Sequence, residues 1–394
     1  MIIKGFTYSA VAAGIRKKDR LDLGLIFSEE PAAAAGVFTT SRVKAAPVLL
    51  DLERLERGRA QAILVNSGVA NACTGKNGMQ AARNASALAA AALNIDENLV
   101  QLASTGVIGE QLSVAKLAAS MDELVAGLSP GAYNDVARAI MTTDTVPKTA
   151  DRTCTIDGSC VTLFGMAKGS GMIMPDMATM LCFVMTDGHI TAEMLQHFLS
   201  RAVQQSFNRI TVDGDTSTND TVLALASGMS GNAIIDAADT GAAEVFGAAL
   251  TDLLRDLALQ IVADGEGATK IVTVKVINAA SQKDADQAAR TIANSPLVKT
   301  AFFGEDANWG RIIAALGRSG VAFEQDSVDI AFDDVQLVQD GLALGAAAEA
   351  KATEVLKHKS FTVTVDLKNG REAGEIYTCD LSIDYIKINA DYRS

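Results

Sequence analysis

Short apolar runs that read as buried strands alternate with amphipathic helical stripes along nearly the whole chain, and that alternation leaves few architectures open. Residues 62–66 (AILVN) form an apolar run stopped by Ser67-Gly68, a buried strand and a turn. Residues 80–93 are Ala-rich and helical by propensity. Residues 181–185 (LCFVM) read as another buried strand. Thr191 can then cap a helix on which Leu195, Phe198, Leu199, Ala202, Val203 and Ser206 share one face. Phe246, Leu250, Leu253, Leu254, Leu257 and Ile261 make a second stripe, ended by Asp264-Gly265. Residues 270–277 and 361–367 read as strands, and residues 381–388 alternate in the same way, which would pin the tail. The sum is a mixed α and β protein without a Pro/Ser linker or a fixed repeat.

A chain of 394 residues suits one large domain or two intimately packed ones. Only 5% of residues are aromatic against 49% apolar overall, so Ala, Val, Ile, Leu and Met build the core. The formal net charge of −13 disfavours polyanions, and no basic block interleaved with aromatics occurs, which argues against nucleic acid. The N-terminus lacks a basic region followed by an apolar run. No uninterrupted apolar stretch has the length of a membrane span. The expectation is a cytoplasmic protein without a membrane partner. Five scattered cysteines without Cys-x-x-Cys fit reduced thiols, and three histidines are too few for a His-rich metal site.

Several motifs nearly match and fail. Gly75-Lys76 imitates a phosphate loop, but Asn77 stands where the metal-binding hydroxyl belongs and Ala70 where the first glycine does. Gly169-Ser170-Gly171 opens a dinucleotide pattern that Met174 breaks. The stretch from Asp213 to Ser217 mimics a calcium loop, but Thr218 and Ala224 occupy the obligatory glycine and glutamate positions, leaving an acidic turn before a helix. No Gly-x-Ser-x-Gly elbow exists. His197 reads as a surface residue and His358 as part of a Lys-rich turn, while His189, after a strand, is a conceivable but weakly supported base, so an enzyme here needs a base other than histidine.

The informative stretch is residues 168–187, KGSGMIMPDMATMLCFVMTD. Glycines and Pro175 shape a tight path, and Ala178-Thr179 opens the strand. A lone strand threonine would read as β-propensity. A strained Ala178–Thr179 peptide changes that reading. The Thr179 hydroxyl can attack the Ala178 carbonyl, and water can hydrolyse the resulting ester. The freed α-amine, with an ordinary pKa of about 7.7–8.0, then serves as the base that histidine does not supply.

The same segment closely resembles the glutamate N-acetyltransferase (ornithine acetyltransferase) family of arginine biosynthesis. The resemblance continues through Asn66-Ser67-Gly68 to Gly75, Ser104 to Gly109, Met141 to Thr145, Asp213 to Asp220, Asp264 to Lys270, Gly304 to Arg311 and Ile388 to Ser394. Each motif is short, but their order over the whole chain is specific. Ser394 stands where many members have threonine, and it keeps the hydroxyl.

The resemblance implies a layered α/β fold, the αββα sandwich of N-terminal-nucleophile type that self-processing aminopeptidases share. It implies self-cleavage into an α chain, 1–178, and a β chain, 179–394. Thr179 would be the nucleophile and form an acetyl ester, and Thr105 and Gly106 the oxyanion hole. Thr142 (with Thr143 the alternative), Lys168, Thr179, Glu266, Asn389 and Ser394 would bind substrate. The implied reaction is ping-pong. N2-acetyl-L-ornithine gives its acetyl group and leaves as L-ornithine, and L-glutamate leaves as N-acetyl-L-glutamate. Some members also take acetyl-CoA as donor, and the residues leave that open. No cofactor or metal is implied, and the family suggests an (αβ)2 heterotetramer. The rival readings are a self-processing aminopeptidase or amidohydrolase and an uncleaved small-molecule binding protein.

Overall fold

The computed structural model of the chain describes residues 2–16, 19–174 and 180–390. Two compact units emerge, Met1–Asn208 with Asp215–Ile261, and Arg209–Gly214 with Val262–Ser394.

In the first unit the described strands are β1 (Phe6–Val11), β2 (Leu23–Phe38), β3 (Arg59–Asn66), β4 (Val100–Ser104), β5 (Lys148–Ile156), β6 (Ser159–Lys168) and β7 (Leu181–Thr186). After β8 (Ile210–Thr211), which belongs to the second unit, comes β9 (Thr221–Ala226). They join in the order β4-β3-β2-β9-β7-β6-β5, with β1 paired to β2. Residues 62–65 are continuously apolar because both faces of β3 are covered. Ile63 and Val65 face a cluster with Phe164, Phe183 and Leu223, while Ala62 and Leu64 face another with Ala82, Ala85 and Leu117.

Helices supply the cover. Helix Gly75–Leu93 starts five residues earlier than its alanine run predicts. Its start is built by side-chain bonds, since Thr74 donates to Asn71 Oδ1 at 2.9 Å and Asn71 Nδ2 to the Gly78 carbonyl at 3.0 Å. Helix Ala192–Gln204 has the expected cap, the Thr191 hydroxyl accepting from the Met194 amide, and buries Leu195, Phe198, Leu199, Ala202 and Val203. Helix Gly241–Ala263 buries Phe246, Leu250, Leu253, Leu254, Leu257 and Ile261 completely, each worth about 1.5–3 kcal/mol. It lies so close to β6 that a Cβ on Gly165 would come 2.7 Å from Leu257.

In the second unit the strands are β10 (Ile271–Ala279), β11 (Asp329–Phe332), β12 (Val335–Gln339), β13 (Leu342–Ala343), β14 (Ser360–Asp366) and β15 (Glu372–Cys379), ordered β13-β12-β11-β14-β10-β15-β8. Val272, Val274, Val276, Val363 and Ile376 form its core with Ala285, Ala288, Ala289 and Ile292 of helix Gln282–Ala293. The expected mixed α/β class is thus present as two sheets with helices packed on each.

Two local expectations are corrected. The acidic turn at 213–217 leads into strand β9, not a helix, because residues 221–226 (TVLALA) are buried on both faces between two strands. The alternating run 381–388 is not a strand. The chain turns after β15, where Asp380 takes the amides of Thr269 and Lys270 and Ser382 donates to the Gly267 carbonyl. The following residues bond locally as helix Ile383–Ala390, leaving Ile383 and Ile386 exposed.

Candidate active site

The connection between β6 and β7 closes an antiparallel pair in which Lys168 lies opposite Leu181. Its two ends are held by buried aspartates. Asp144 Oδ1 accepts from the Gly169 amide at 2.7 Å, and Asp220 Oδ1 accepts from the Met180 amide at 2.9 Å. The cleavage pair Ala178 and Thr179 lies outside the described residues, as does Ser394. Met180, the covalent neighbour of Thr179, is described and nearly fully buried.

Lys168 ends β6 with only 8% of its surface exposed. Its ammonium donates to the Thr142 hydroxyl at 2.9 Å and to the Thr105 hydroxyl at 3.3 Å, with Asp144 Oδ2 at 3.9 Å. A hydroxyl that accepts from a cation keeps its own proton to donate elsewhere. Both threonines are half-buried, so that proton can reach a bound molecule.

Thr105-Gly106 follows directly on β4. Thr105 donates its amide to the Asn66 carbonyl at 3.0 Å, and Val107 to the Gly68 carbonyl at 3.1 Å. Gly106 has φ +128, and a Cβ there would lie 2.3 Å from the Gly68 carbonyl carbon, so no other residue fits. Among the described residues no acceptor takes the Gly106 amide. The turn is braced by Asn219, whose amide nitrogen donates to the carbonyls of Ala70 at 2.6 Å and Ser104 at 2.8 Å. Three of the distinctive motifs therefore serve one backbone arrangement that presents a hydroxyl and an amide on the same turn.

The charges are arranged unequally. Asp144 is fully buried, which alone would raise its carboxyl. Lys168 and Lys148, the latter 2.7 Å away, outweigh that and hold it well below the usual carboxylate range. Asp220 is also buried, and burial dominates there. Its carboxyl stands well above its ordinary value despite the Met180 amide and the more distant Lys168.

Glu266 and Asn389 belong to the second unit. Glu266 is 7% exposed, and its Oε2 accepts from Asn389 Nδ2 at 2.7 Å. Asn389 also donates to the Tyr385 carbonyl at 3.0 Å, and the Tyr385 hydroxyl to Asp213 at 3.2 Å. Gly267, at φ +69, lets helix Ile383–Ala390 approach, since a Cβ would lie 2.6 Å from the Tyr385 nitrogen.

Of the sequence candidates, Thr105, Gly106, Thr142 and Lys168 come together in the first unit, and Glu266 and Asn389 in the second. Asp144, Lys148, Asn219 and Asp220 were not among them. Asp144, Asn219 and Asp220 lie inside distinctive motifs, which was their only signal, and Lys148 had none. Among the described residues no cluster of His, Cys, Asp and Glu could hold a metal ion.

A family model described as the ArgJ family matches residues 7–394. The arginine biosynthesis bifunctional protein ArgJ of Desulfotalea psychrophila is 59% identical over 100% of both chains. The protein of the same name from Geobacter sulfurreducens is 53% identical, again over 100% of both. A crystal structure of arginine biosynthesis bifunctional protein ArgJ from Bacillus halodurans is 44% identical with a TM-score of 0.52, covering 54% of this chain and 99% of that one.

Proposed function

This chain belongs to the ArgJ family, and we propose that it carries an acetyl group from N2-acetyl-L-ornithine to L-glutamate through an ester on Thr179. The precursor first cuts itself. The Thr179 hydroxyl attacks the Ala178 carbonyl, and the amide nitrogen takes up a proton as the C–N bond breaks. Water then hydrolyses the ester. The products are chains 1–178 and 179–394, the second beginning with a free amine.

In the first half-reaction the Thr179 hydroxyl attacks the acetyl carbonyl of N2-acetyl-L-ornithine and passes its proton to its own α-amine. The tetrahedral oxyanion is stabilised by the Thr105 hydroxyl and the Gly106 amide. One such donor is worth about 2.7–4 kcal/mol. Collapse returns the proton to the departing ornithine nitrogen. The amine of L-glutamate then attacks the acetyl ester, the acyl C–O bond to Thr179 breaks, a proton from the attacking amine is relayed by the Thr179 α-amine to the Thr179 oxygen, and N-acetyl-L-glutamate leaves. Lys168 and Thr142 suit a substrate carboxylate, and the resemblance adds Glu266 and Asn389 to the substrate-binding set. Ser394 completes the set that the resemblance assigns. The relatives' description as bifunctional supports acetyl-CoA as a second donor, with no bound cofactor. An (αβ)2 heterotetramer in the cytoplasm completes this reading. Among the described residues no helix is long and apolar enough to cross a membrane.

The observation that carries the proposal is the shared donor on Thr105 and Thr142. Lys168, at the entrance to the segment containing Thr179, bonds both hydroxyls. The test is the denatured mass of the purified protein before and after N2-acetyl-L-ornithine. Expected are two fragments split at Ala178/Thr179, with one acetyl group added to the second and removed by L-glutamate. An intact chain that never gains acetyl refutes the mechanism. An acetyl group lost to water at the same rate without glutamate makes the protein a hydrolase.

A further inference from the structure

One carboxylate holds the backbone on both sides of the bond between Lys168 and Thr142. Asp144 Oδ1 accepts from the Gly169 amide at 2.7 Å, one residue after Lys168, and Oδ2 accepts from the Thr142 amide at 3.0 Å. These contacts close a ring. It runs from the Lys168 ammonium to the Thr142 hydroxyl at 2.9 Å, from the Thr142 amide to Asp144, and from Asp144 through the Gly169 amide back to Lys168. Arg20 approaches the same loop from its carbonyl side, donating to Met141 and Thr142. Lys148, on β5 opposite Ala167, donates to Asp144 Oδ1 at 2.7 Å, and both of these side chains are wholly buried. Burial alone would raise the Asp144 carboxyl, but Lys168 and Lys148 outweigh it, so both oxygens stay acceptors.

We infer that Asp144 is a positioning residue for acetyl transfer, setting the Lys168 ammonium and the Thr142 hydroxyl against each other so that both meet the substrate carboxylate. Its effect on substrate rests on the reading above that these two groups bind that carboxylate. The distances divide the work. The Lys168 ammonium lies 3.9 Å from Asp144 Oδ2, within reach of an ion pair but beyond a hydrogen bond. Asp144 therefore attracts the cation without taking its donors, two of which go to the Thr142 and Thr105 hydroxyls. Lys148 takes the direct contact instead. One carboxylate between two ammonium groups leaves a single surplus positive charge, which suits an anionic substrate group. The residue type matters as well. An asparagine at 144 has one acceptor oxygen, so it can satisfy the Gly169 amide or the Thr142 amide but not both.

D144N alone strands Lys148 in the core, so the test uses D144N/K148M. This variant removes the buried pair from both sides, which folds tolerate far better than loss of one partner, and it keeps the surplus charge on Lys168. Orienting one charge-assisted hydrogen bond is worth about tenfold in affinity. KM for N2-acetyl-L-ornithine should therefore rise about tenfold in D144N/K148M, with a smaller fall in kcat. The same two substitutions made in K168M should change KM less than about twofold, because no ammonium remains to be positioned. Equal factors in the two backgrounds mean that Asp144 only supports the fold, and they overturn the inference. Crystal structures of T179A and T179A/D144N/K148M give a readout that needs neither processing nor turnover. The Lys168–Thr142 contact should open beyond hydrogen-bond distance in the second. A contact that persists at 2.9 Å overturns the inference too. A wild-type enzyme that transfers no acetyl group refutes the substrate reading instead, and the crystal comparison still decides what Asp144 positions, so the two failures are distinguishable.

Discussion

The Lys168 ammonium lies 2.9 Å from the Thr142 hydroxyl and 3.3 Å from that of Thr105, so one buried cation fixes two hydroxyls from separate loops. Its effect on each differs by role. Removing the charge with K168M leaves the Thr105 hydroxyl unoriented and, on the proposed reading, takes away the cation for the substrate carboxylate. The expected result is a rise in KM together with a fall in kcat. T105A, by contrast, should lower kcat by about 10²–10³ with KM nearly constant, as for loss of one oxyanion donor. Steady-state kinetics with N2-acetyl-L-ornithine separate the two. A T105A enzyme with wild-type kcat removes Thr105 from the oxyanion hole.

Gly106 is constrained sterically as well as chemically. A methyl group there meets the carbonyl carbon, oxygen and Cα of Gly68 at 2.3–2.7 Å, all of them backbone atoms. The turn must therefore open. G106A is expected to lose activity and at least about 2 kcal/mol of stability, since the positive φ adds strain to the clash. Urea unfolding checks the second point. G109A has open space at its Cβ and shares the positive φ, so it should lose only the smaller, conformational part.

Elements with local signals were legible from residue order alone. The Thr191 cap and its apolar face gave helix Ala192–Gln204, and the run LCFVM gave β7. The partnerships that hold the site were not legible, because they join residues distant in sequence: Met180 and Asp220 are 40 apart, Thr105 and Lys168 63 apart. Lys148 shows the limit most clearly. A lysine in a polar stretch reads as solvated, yet it is wholly buried because Asp144 needs a counter-charge. The tail failed for the opposite reason. Alternating apolar residues between 381 and 388 signal a strand only if a neighbouring edge is offered. The turn at Asp380 to Ser382 leads instead into local helical bonding.

The buried pair of Asp144 and Lys148 should be costly to break from one side. K148M leaves Asp144 buried with less compensation, and loss of one partner of such a pair typically costs about 3–5 kcal/mol. Because the folded pKa of Asp144 is depressed, its contribution is present above the unfolded pKa and is lost only as pH falls through the lower folded value. Between pH 5 and 8 the penalty in K148M should therefore be flat. A penalty that changes strongly across that window contradicts an ionised Asp144.

Asp220 runs the other way. Its folded pKa is raised, so the folded chain keeps a proton that the unfolded chain loses above about pH 3.9, and stability falls as pH rises from there. D220N has no such proton to keep. In a T179A background, where unfolding stays within one chain, the stability of D220N relative to its parent should increase from pH 4.5 to pH 7.5. A constant difference between the two pH values shows that Asp220 is ionised in the fold.

Cleavage between Ala178 and Thr179 should not release the two pieces. Strands β7 and β9 would belong to the second piece and are paired with each other in parallel. Both outer edges of that pair are occupied by strands of the first piece: β6 along Leu163↔Thr186 to Lys168↔Leu181, and β2 along Ala33↔Ala226 to Phe38↔Thr221. Separation would expose two ladders and the apolar faces of Phe183, Met185, Leu223 and Leu225 at once. The cut protein should therefore elute as one species on native chromatography, show two bands only after denaturation, and stay associated on dilution to nanomolar concentration. Residues 1–178 expressed alone should aggregate, because β2 and β6 would each present an unpaired edge. Pieces that separate on dilution would show that this strand order does not describe the cleaved protein.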